Sequence, residues 1–289
     1  MGALDPPVTA VREAVARALD EDLTPLGDVS AALLPPDATA EATVGARAAG
    51  VVAGTACFTE AMRQVDERLT VEWALVDGDR CEPGGVLGTV AGPLASMLTA
   101  ERTALNFLGH LSGIATLTAR FVEAAGGSLR VWDTRKTTPG LRSLEKAAVR
   151  AGGGANHRGN LSEWVMLKDN HLELVGMAEA VARARELFPA RTVHVECDTH
   201  DKVVEALGVG ADALLLDNMT PDEARACVVT IEETTRDGRR PLVELSGGIT
   251  LDSLSAYASV GADLVSSGAL TNSAPVLDIG LDVVATHAG

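Results

Sequence analysis

The sequence predicts an α/β protein with a small N-terminal α/β domain and an open (β/α) barrel. Two observations lead to this prediction. The chain has 289 residues, 46% of them hydrophobic, which is enough to bury a large core. Through its second half, short apolar runs alternate with helical patterns, as is typical of parallel strands joined by helices. The six such runs are fewer than the eight of a closed barrel, so we expect the barrel to be open or incomplete.

The smaller domain is assigned to residues 1–105. A helix is expected over 10–19, where Thr9 can serve as the N-cap, and another over 59–69. Proline and glycine separate the apolar stretches between and after these helices. The expected strands are 42–52, 71–76 and 86–90.

The barrel domain is assigned to residues 106–274. It begins within a long helical pattern over 96–125, which we expect to be interrupted near the glycines at 109–113. The expected barrel strands are 129–133, 165–168, 192–197, 213–216, 242–245 and 264–265. The helices expected between them are 141–151, 172–188, 200–207, 221–234 and 251–260.

The charge of the chain is unevenly distributed. A net charge of −16 argues against binding to nucleic acid or to anionic membranes, because both present phosphate charge. Yet the window 102–169 contains ten Lys/Arg and only five Asp/Glu. A cationic pocket in an acidic protein predicts a small and strongly anionic ligand.

The sequence also indicates a location. No apolar run approaches the length that spans a bilayer, and the first residues have no basic and apolar secretory pattern. The four cysteines are scattered without CxxC spacing: Cys57, Cys81, Cys197 and Cys227. We therefore expect reduced thiols in a cytoplasmic protein.

Charged or glycine-rich residues follow every predicted barrel strand. The carboxyl ends of barrel strands share one rim, where the active site of such folds lies. We expect this rim to form the site. The candidates are Thr134, Arg135, Lys136, His157, Arg158, Lys168, Glu196, Asp217, Ser246, Gly247, Gly248, Ser267, Gly268 and Ala269.

The candidate cations suit two kinds of anion. Arg135 and Arg158, together with Arg102 before the barrel, suit carboxylates because guanidinium is a forked donor. Lys136 and Lys168 act more as point charges and suit pyrophosphate. Together they predict a ligand set that carries both groups.

The remaining candidates favour a phosphorylated sugar. Ser246-Gly247-Gly248 and Ser267-Gly268-Ala269 follow the last two strands, where barrel phosphate sites recur, although tight turns also need glycine. Glu196 and Asp217 could hold a divalent cation, accept from ribose hydroxyls or form plain ion pairs.

Eight sequence blocks resemble the quinolinate phosphoribosyltransferases, also called carboxylating nicotinate-nucleotide pyrophosphorylases. The D-T-R-K-T-T-P-G and K-D-N-H blocks are the most specific. The blocks are A-E-R-T at 100–103, H-L-S-G-I-A-T at 110–116, D-T-R-K-T-T-P-G at 133–140, N-H-R at 156–158, K-D-N-H at 168–171, L-D-N at 216–218, S-G-G-I at 246–249 and G-A-L-T at 268–271.

The resemblance implies a fold and an assembly. The fold is a small N-terminal α/β domain with an open barrel of the quinolinate phosphoribosyltransferase type, and residues 275–289 return to the first domain. The assembly is a homodimer in which Arg102 reaches the neighbouring subunit's site.

The resemblance also implies the reaction and the role of each residue. The reaction is phosphoribosyl transfer from phosphoribosyl pyrophosphate to quinolinate with loss of carbon dioxide. Arg135, His157, Arg158 and Lys168 would hold the two quinolinate carboxylates, while Lys136 and Lys168 would face phosphoribosyl pyrophosphate. Glu196 and Asp217 would contact its ribose and Mg²⁺, and the two glycine loops would hold the 5′-phosphate.

Some positions depart from the family pattern. These are Gly159-Asn160, Glu163, His194 where a second glutamate is common, Ser267, and Asn272 in place of histidine. They leave room for an altered acceptor, as in the molybdenum-utilisation paralogues. Two other interpretations are a lyase with Lys168 as Schiff-base former and a non-catalytic phosphate-binding protein.

Overall fold

The computed structural model describes residues 5–235 and 238–287. The chain forms two compact units. Unit 1 comprises Met1–Ala119, Thr137–Gly153 and Leu270–Gly289, and unit 2 comprises Arg120–Lys136 and Gly154–Ala269. Unit 1 includes the C-terminal segment, and the domains expected from the sequence are 1–105 with 275–289 packing back on it, and 106–274. No helix of the described residues combines the length and apolar character needed to cross a membrane.

Labels follow chain order. The strands are β1 Thr39–Ala46, β2 Gly50–Val51, β3 Thr70–Trp73, β4 Arg80–Cys81, β5 Val86–Pro93, β6 Arg130–Trp132, β7 Val165–Leu167, β8 Val193–Cys197, β9 Ala213–Asp217, β10 Leu242–Ser246, β11 Leu264–Ser266 and β12 Ile279–His287. The α-helices are α1 Val8–Leu23, α2 Thr55–Val65, α3 Leu94–Ala125, α4 Arg142–Ala151, α5 Asp169–Val175, α6 Met177–Leu187, α7 His200–Gly208, α8 Pro221–Thr234, α9 Leu251–Tyr257 and α10 Ala269–Asn272.

Unit 1 is built on an antiparallel sheet with the strand order β12-β1-β5-β3. β12 pairs with β1 along its whole length, from Thr39↔His287 to Ala46↔Ile279. The sequence analysis did not assign β12 as a strand, although Ile279, Leu281 and Val283 alternate with Gly280 and Asp282. The expected single strand over 42–52 is instead β1 and the short β2, which pairs with β4.

Two details of the predicted helices in unit 1 are wrong, although both helices are present. Thr9 lies inside α1, and Pro7 is the N-cap, where the missing N–H of proline costs nothing. α3 runs without interruption through Gly109 and Gly113. These glycines admit the backbone of the C-terminal segment instead, since a Cβ on Gly113 would lie 2.1 Å from the carbonyl oxygen of Pro275. Glycine in this helix thus marks a close approach and not a helix break.

Unit 2 confirms the predicted parallel sheet. Its six strands have the order β6-β11-β10-β9-β8-β7, and all their pairings are parallel. β6 and β7 do not pair with each other within the described residues, so the sheet is open. The single helix expected over 172–188 is wrong, because Gly176 with φ 77° divides it into α5 and α6.

Candidate active site

Unit 2 contains a cavity of about 560 Å³ at the carboxyl ends of its strands. It gathers most of the residues predicted from the sequence. The cavity is lined by Thr134, Arg135, Lys136, His157, Arg158, Met166, Lys168, Glu196, Leu215, Asp217, Asn218, Glu244, Ser246, Gly247, Gly248 and Ser266.

The pleat of the strands explains why these side chains face one space. Side chains two residues apart on a strand point to the same face. Leu215 and Asp217 on β9 line the cavity as such a pair, and Glu244 and Ser246 do so on β10. Leu215 and Glu244 inside the strands therefore form the bottom of the cavity, and Asp217 and Ser246 at the strand ends form its rim.

The cavity contains two arginines whose surroundings disfavour their positive charge. Arg158 is buried and Arg135 is partly buried. Burial lowers the pKa of Arg158, and the neighbouring Arg135 cation lowers it further, while Glu244 opposes both effects. A pair of guanidinium groups held together in this way is arranged to receive an anion.

Asp133 fixes the loop that bears His157 and Arg158. Its carboxylate is fully buried and accepts hydrogen bonds from the backbone N–H of His157 at 2.8 Å and from Nδ2 of Asn156 at 2.7 Å. The first residue of the D-T-R-K-T-T-P-G block thus anchors the N-H-R block. The sequence resemblance places the two blocks in one site, and this contact is a physical reason for their proximity.

A lysine and two carboxylates lie across the same cavity. The ammonium of Lys168 forms an ion pair with Oε2 of Glu196. Nδ2 of Asn218 donates to Oδ2 of Asp217 at 2.6 Å. Nδ1 of His171 accepts from the backbone N–H of Lys168 at 3.1 Å, so the last residue of K-D-N-H holds the first.

The glycine loop after β10 owes its sequence to a close contact. Gly247 has φ 87°, and a Cβ there would lie 2.3 Å from Oδ1 of Asn218. Gly248 has φ 64° and open space around it. Only glycine fits the first position, and both leave the backbone open to an approaching anion.

Four of the predicted site residues are not among those that line the cavity within the described chain: Arg102, Ser267, Gly268 and Ala269. Arg102 is exposed on α3 in unit 1. Ser267 is buried, and its hydroxyl accepts from the backbone N–H of Ala269 at 3.3 Å. A Cβ on Gly268 would lie 2.6 Å from Cδ of Lys136, so this glycine makes room for the lysine side chain.

The sequence reasoning missed Glu244 and an aromatic cluster around His157. Glu244 is a buried acid inside an apolar strand and two residues before Ser246, a signal that could have been used. The rings of Trp132, Trp164 and His194 surround or extend from His157. Burial lowers the pKa of His194 to about 4, so this departure from the family pattern adds no charge at neutral pH.

Comparison with known proteins identifies relatives over most of the chain. The family model "Quinolinate phosphoribosyl transferase, N-terminal domain" matches residues 28–112, and the corresponding C-terminal domain model matches residues 114–282. The "Nicotinate-nucleotide pyrophosphorylase [carboxylating]" of Mycobacterium leprae is 38% identical, covering 95% of this chain and 97% of that protein. The human protein of the same name is 38% identical, with 88% and 86% covered.

Solved structures agree with this result. NadC from Streptococcus pyogenes has a TM-score of 0.90 at 39% identity, covering 97% of this chain and 99% of that one. The nicotinate-nucleotide pyrophosphorylase from Francisella tularensis has a TM-score of 0.90 at 32% identity, covering 96% and 98%.

The open parallel sheet and its cationic cavity define an α/β-barrel enzyme whose site lies at the carboxyl ends of the strands. Two family models and several relatives above 30% identity identify the family within that class. This chain belongs to the quinolinate phosphoribosyltransferases.

Proposed function

We propose that this protein transfers the phosphoribosyl group of phosphoribosyl pyrophosphate to quinolinate and releases carbon dioxide and pyrophosphate. The product is nicotinate mononucleotide, a precursor of NAD. The observation that carries this proposal is one cavity that combines two guanidinium groups with lysines and a glycine loop. Membership of the family supports the same reaction.

The acceptor end is assigned to the guanidinium side of the cavity. Arg135 and Arg158 are forked donors that pair with the two quinolinate carboxylates. His157 and Lys168 line the same cavity and complete this set. Each charged hydrogen bond contributes about 1.5–3 kcal/mol, so the set distinguishes a dicarboxylate from a monocarboxylate.

The donor end is assigned to the lysines and the loops after the last strands. Lys136 and Lys168 neutralise the pyrophosphate, and Ser246, Gly247 and Gly248 offer backbone N–H groups to the 5′-phosphate. The proposal includes Ser267, Gly268 and Ala269 as the second phosphate loop. Gly268 supports this assignment because it leaves space for the side chain of Lys136, which is assigned to the pyrophosphate of the same substrate.

The reaction follows from charge placement. The pyridine nitrogen uses its lone pair to attack C1 of the ribose while the C1–oxygen bond breaks. The electron pair of that broken bond leaves with pyrophosphate. The nitrogen is then positive and stabilises the electron pair that remains on C2 when the C2–carboxylate bond breaks and carbon dioxide departs. A proton from solvent completes C2. No covalent nucleophile is needed, so positioning and electrostatics supply the catalysis.

We further propose that Mg²⁺ is the cofactor and that Glu196 and Asp217 contribute to its site. The described residues contain no group of three or more His, Cys, Asp or Glu that could hold a metal ion. Two carboxylates facing one cavity nevertheless fit Mg²⁺, which commonly takes one or two carboxylates together with water and substrate phosphates. When bound, the ion would neutralise the pyrophosphate charge.

The Mg²⁺ proposal has a direct test. Activity should disappear on exhaustive chelation and return when Mg²⁺ is added. Full activity of the chelated enzyme would contradict it.

We propose a homodimer in which Arg102 completes the site of the partner subunit. Its support is the family resemblance of the A-E-R-T block and the exposure of Arg102 on α3. Arg102→Ala and Lys136→Ala should each be nearly inactive alone. Mixing them should restore roughly a quarter of wild-type activity, because about half of the dimers are then mixed and each mixed dimer has one intact site.

The complementation experiment needs proof of subunit exchange, which native mass spectrometry provides. No recovery in exchanged dimers would show that Arg102 does not act across the interface.

We also propose a cytoplasmic location, which is supported by the four free and buried thiols.

The proposed activity is tested by product analysis. Purified protein with phosphoribosyl pyrophosphate and Mg²⁺ should form nicotinate mononucleotide from quinolinate and little or none from nicotinate. Activity with a different acceptor would instead assign the protein to a paralogous transferase. Borohydride trapping of a carbonyl substrate on Lys168 would instead indicate a Schiff-base lyase.

A further inference from the structure

Glu244 is a buried carboxylate that the proposed reaction does not use. It lies on β10, its side chain is 1% exposed, and it lines the cavity. Its Oε2 atom lies 3.3 Å from Nε2 of His157. Within the described residues its Oε1 atom is buried without a hydrogen-bond partner. A buried carboxylate with one long hydrogen bond is costly, so its presence beside a binding cavity calls for a functional explanation.

The imidazole of His157 is held on its other sides by two indoles. The ring centroids of His157 and Trp164 are 4.8 Å apart with an interplanar angle of 67°. Those of Trp132 and His157 are 6.0 Å apart at 74°. Both are edge-to-face arrangements, which are favourable for aromatic rings.

Trp164 has support of its own. Its ring stacks on that of His194, with centroids 4.9 Å apart and planes 15° from parallel. His194 is buried on β8. The rings of Trp132, His157, Trp164 and His194 therefore form a continuous row, and Glu244 makes a polar contact with His157 in that row.

We propose that Glu244 is a positioning residue for the acceptor end of the cavity, holding the imidazole of His157 against Trp132 and Trp164 in the orientation that receives a substrate carboxylate. A carboxylate oxygen accepts, so this contact uses a hydrogen on Nε2 of His157, and the imidazolium form carries a second hydrogen on Nδ1 that can be donated to a substrate carboxylate. The ring is then fixed before the substrate arrives, which lowers the entropic cost of binding. This proposal rests on the proposed function, because it assigns His157 to the acceptor.

A purely electrostatic role and a positioning role for Glu244 predict opposite effects of its removal on quinolinate binding. Glu244 interacts electrostatically with Arg158 and His194, and it lines the same cavity as Arg135, His157, Lys168 and Glu196. If only its charge mattered, removing it would strengthen the binding of a dianion. If position matters, removing the hydrogen-bond acceptor weakens binding even though the cavity becomes more positive.

Two substitutions at this position separate the roles. Glu244→Gln removes the charge but keeps an oxygen that can accept from Nε2 of His157, whereas Glu244→Leu removes both. We expect calorimetric titration with quinolinate to give an affinity within about threefold of wild type for Glu244→Gln and at least about tenfold weaker for Glu244→Leu. In steady-state assays the KM for quinolinate should rise while the KM for phosphoribosyl pyrophosphate stays within about twofold.

Matched controls come from unit 1. Glu145 is also a fully buried glutamate bonded to a histidine, with Oε1 2.9 Å from Nε2 of His110. Glu145→Gln should leave the quinolinate affinity within about twofold. If Glu244→Leu does not fold, Trp164→Leu removes the opposite side of the same support and should weaken quinolinate at least about fivefold, with Trp73→Leu as its control.

Each outcome is decisive. Unchanged or tighter quinolinate binding by folded Glu244→Leu would overturn the proposal, as would equal effects on both substrates or the same loss in the unit 1 controls. For the Trp164 pair, equal affinities of the two leucine variants would overturn it. Wild-type protein that neither binds nor converts quinolinate would reject the proposed function itself, which is a distinguishable failure.

Discussion

Two buried glutamates, one in each unit, each contact a histidine but differ in how completely their hydrogen bonds are satisfied. In unit 1, Glu145 uses both oxygens: Oε1 lies 2.9 Å from Nε2 of His110, and Oε2 accepts from the backbone N–H of Thr138 at 3.2 Å. In unit 2, Glu244 has one contact of 3.3 Å with His157, and its other oxygen has no partner within the described residues. The first pair stabilises the fold, whereas the second leaves bonding capacity beside a cavity.

The charged groups of the two units show the same contrast. Hydrogen bonds from Arg68 and Ser96 hold the pKa of Asp66 in unit 1 well below its usual range. In unit 2, burial and the neighbouring Arg135 lower the pKa of Arg158, which means that the fold disfavours this cation. Hydrogen bonds within unit 1 stabilise the Asp66 anion, whereas the Arg158 cation beside the unit 2 cavity is one that a bound anion can stabilise.

The largest expected effect lies at the donor end. Lys168→Met removes an ammonium that the proposed mechanism places on the pyrophosphate, and it leaves Glu196 without its ion-pair partner. We expect kcat/KM to fall by roughly a hundredfold or more, as for loss of a single electrostatic contact to a transition state. Steady-state kinetics of a variant with an unchanged melting temperature measures this effect, and activity near wild type would remove Lys168 from the mechanism.

A smaller effect is expected at the acceptor end. Arg158→Ala or Arg135→Ala should weaken quinolinate binding at least about tenfold, or about 1.4 kcal/mol, because a carboxylate in the cavity loses its guanidinium partner. Calorimetric titration measures the affinity, and circular dichroism checks the fold. Wild-type affinity in a folded variant would contradict the assignment.

The unit 1 pair should affect stability and not binding. Glu145→Gln replaces a buried acceptor oxygen by an amide donor and should lower the free energy of unfolding by about 1–3 kcal/mol. Denaturant titration gives this value for wild type and variant under the same conditions. A selective loss of quinolinate affinity in place of lost stability would erase the distinction between the two units.

The smallest difference is expected at the cysteines, which should behave alike in both units. Burial raises the pKa of Cys57 in unit 1 and of Cys197 in unit 2 to about 12. The thiolate is the reactive form, so at pH 8 both groups remain neutral and shielded. A thiol reagent should label neither in the native protein and both after unfolding. Rapid native labelling of either one would contradict this account.

The sequence predicted the parallel sheet and most of the residues that line the cavity, because these depend on local patterns. Each strand of unit 2 is a short apolar run, and its functional side chains follow at its end, as with Lys168 after β7 and Asp217 at the end of β9. The common rim then follows from the rules of parallel α/β folds.

The errors arose where distant contacts override local preference. Gly109 and Gly113 suggested a helix break, yet their contacts are with residues 275–277, more than 150 positions away. β12 was left unassigned although its Val and Ile residues favour a strand, and its pairing with β1 sets its place in the sheet. A single acid in an apolar strand marks Glu244 as unusual, but nothing in the sequence indicates its contact with His157, 87 residues before it.

The central claim is that the unit 2 cavity takes a dicarboxylate acceptor and removes one carboxylate during phosphoribosyl transfer. It is tested most directly with quinolinate labelled in the 2-carboxyl group, by counting labelled carbon dioxide against nicotinate mononucleotide and pyrophosphate. We predict equal amounts of all three, formed only when phosphoribosyl pyrophosphate is present. No labelled carbon dioxide, or its release without phosphoribosyl pyrophosphate, would contradict the account.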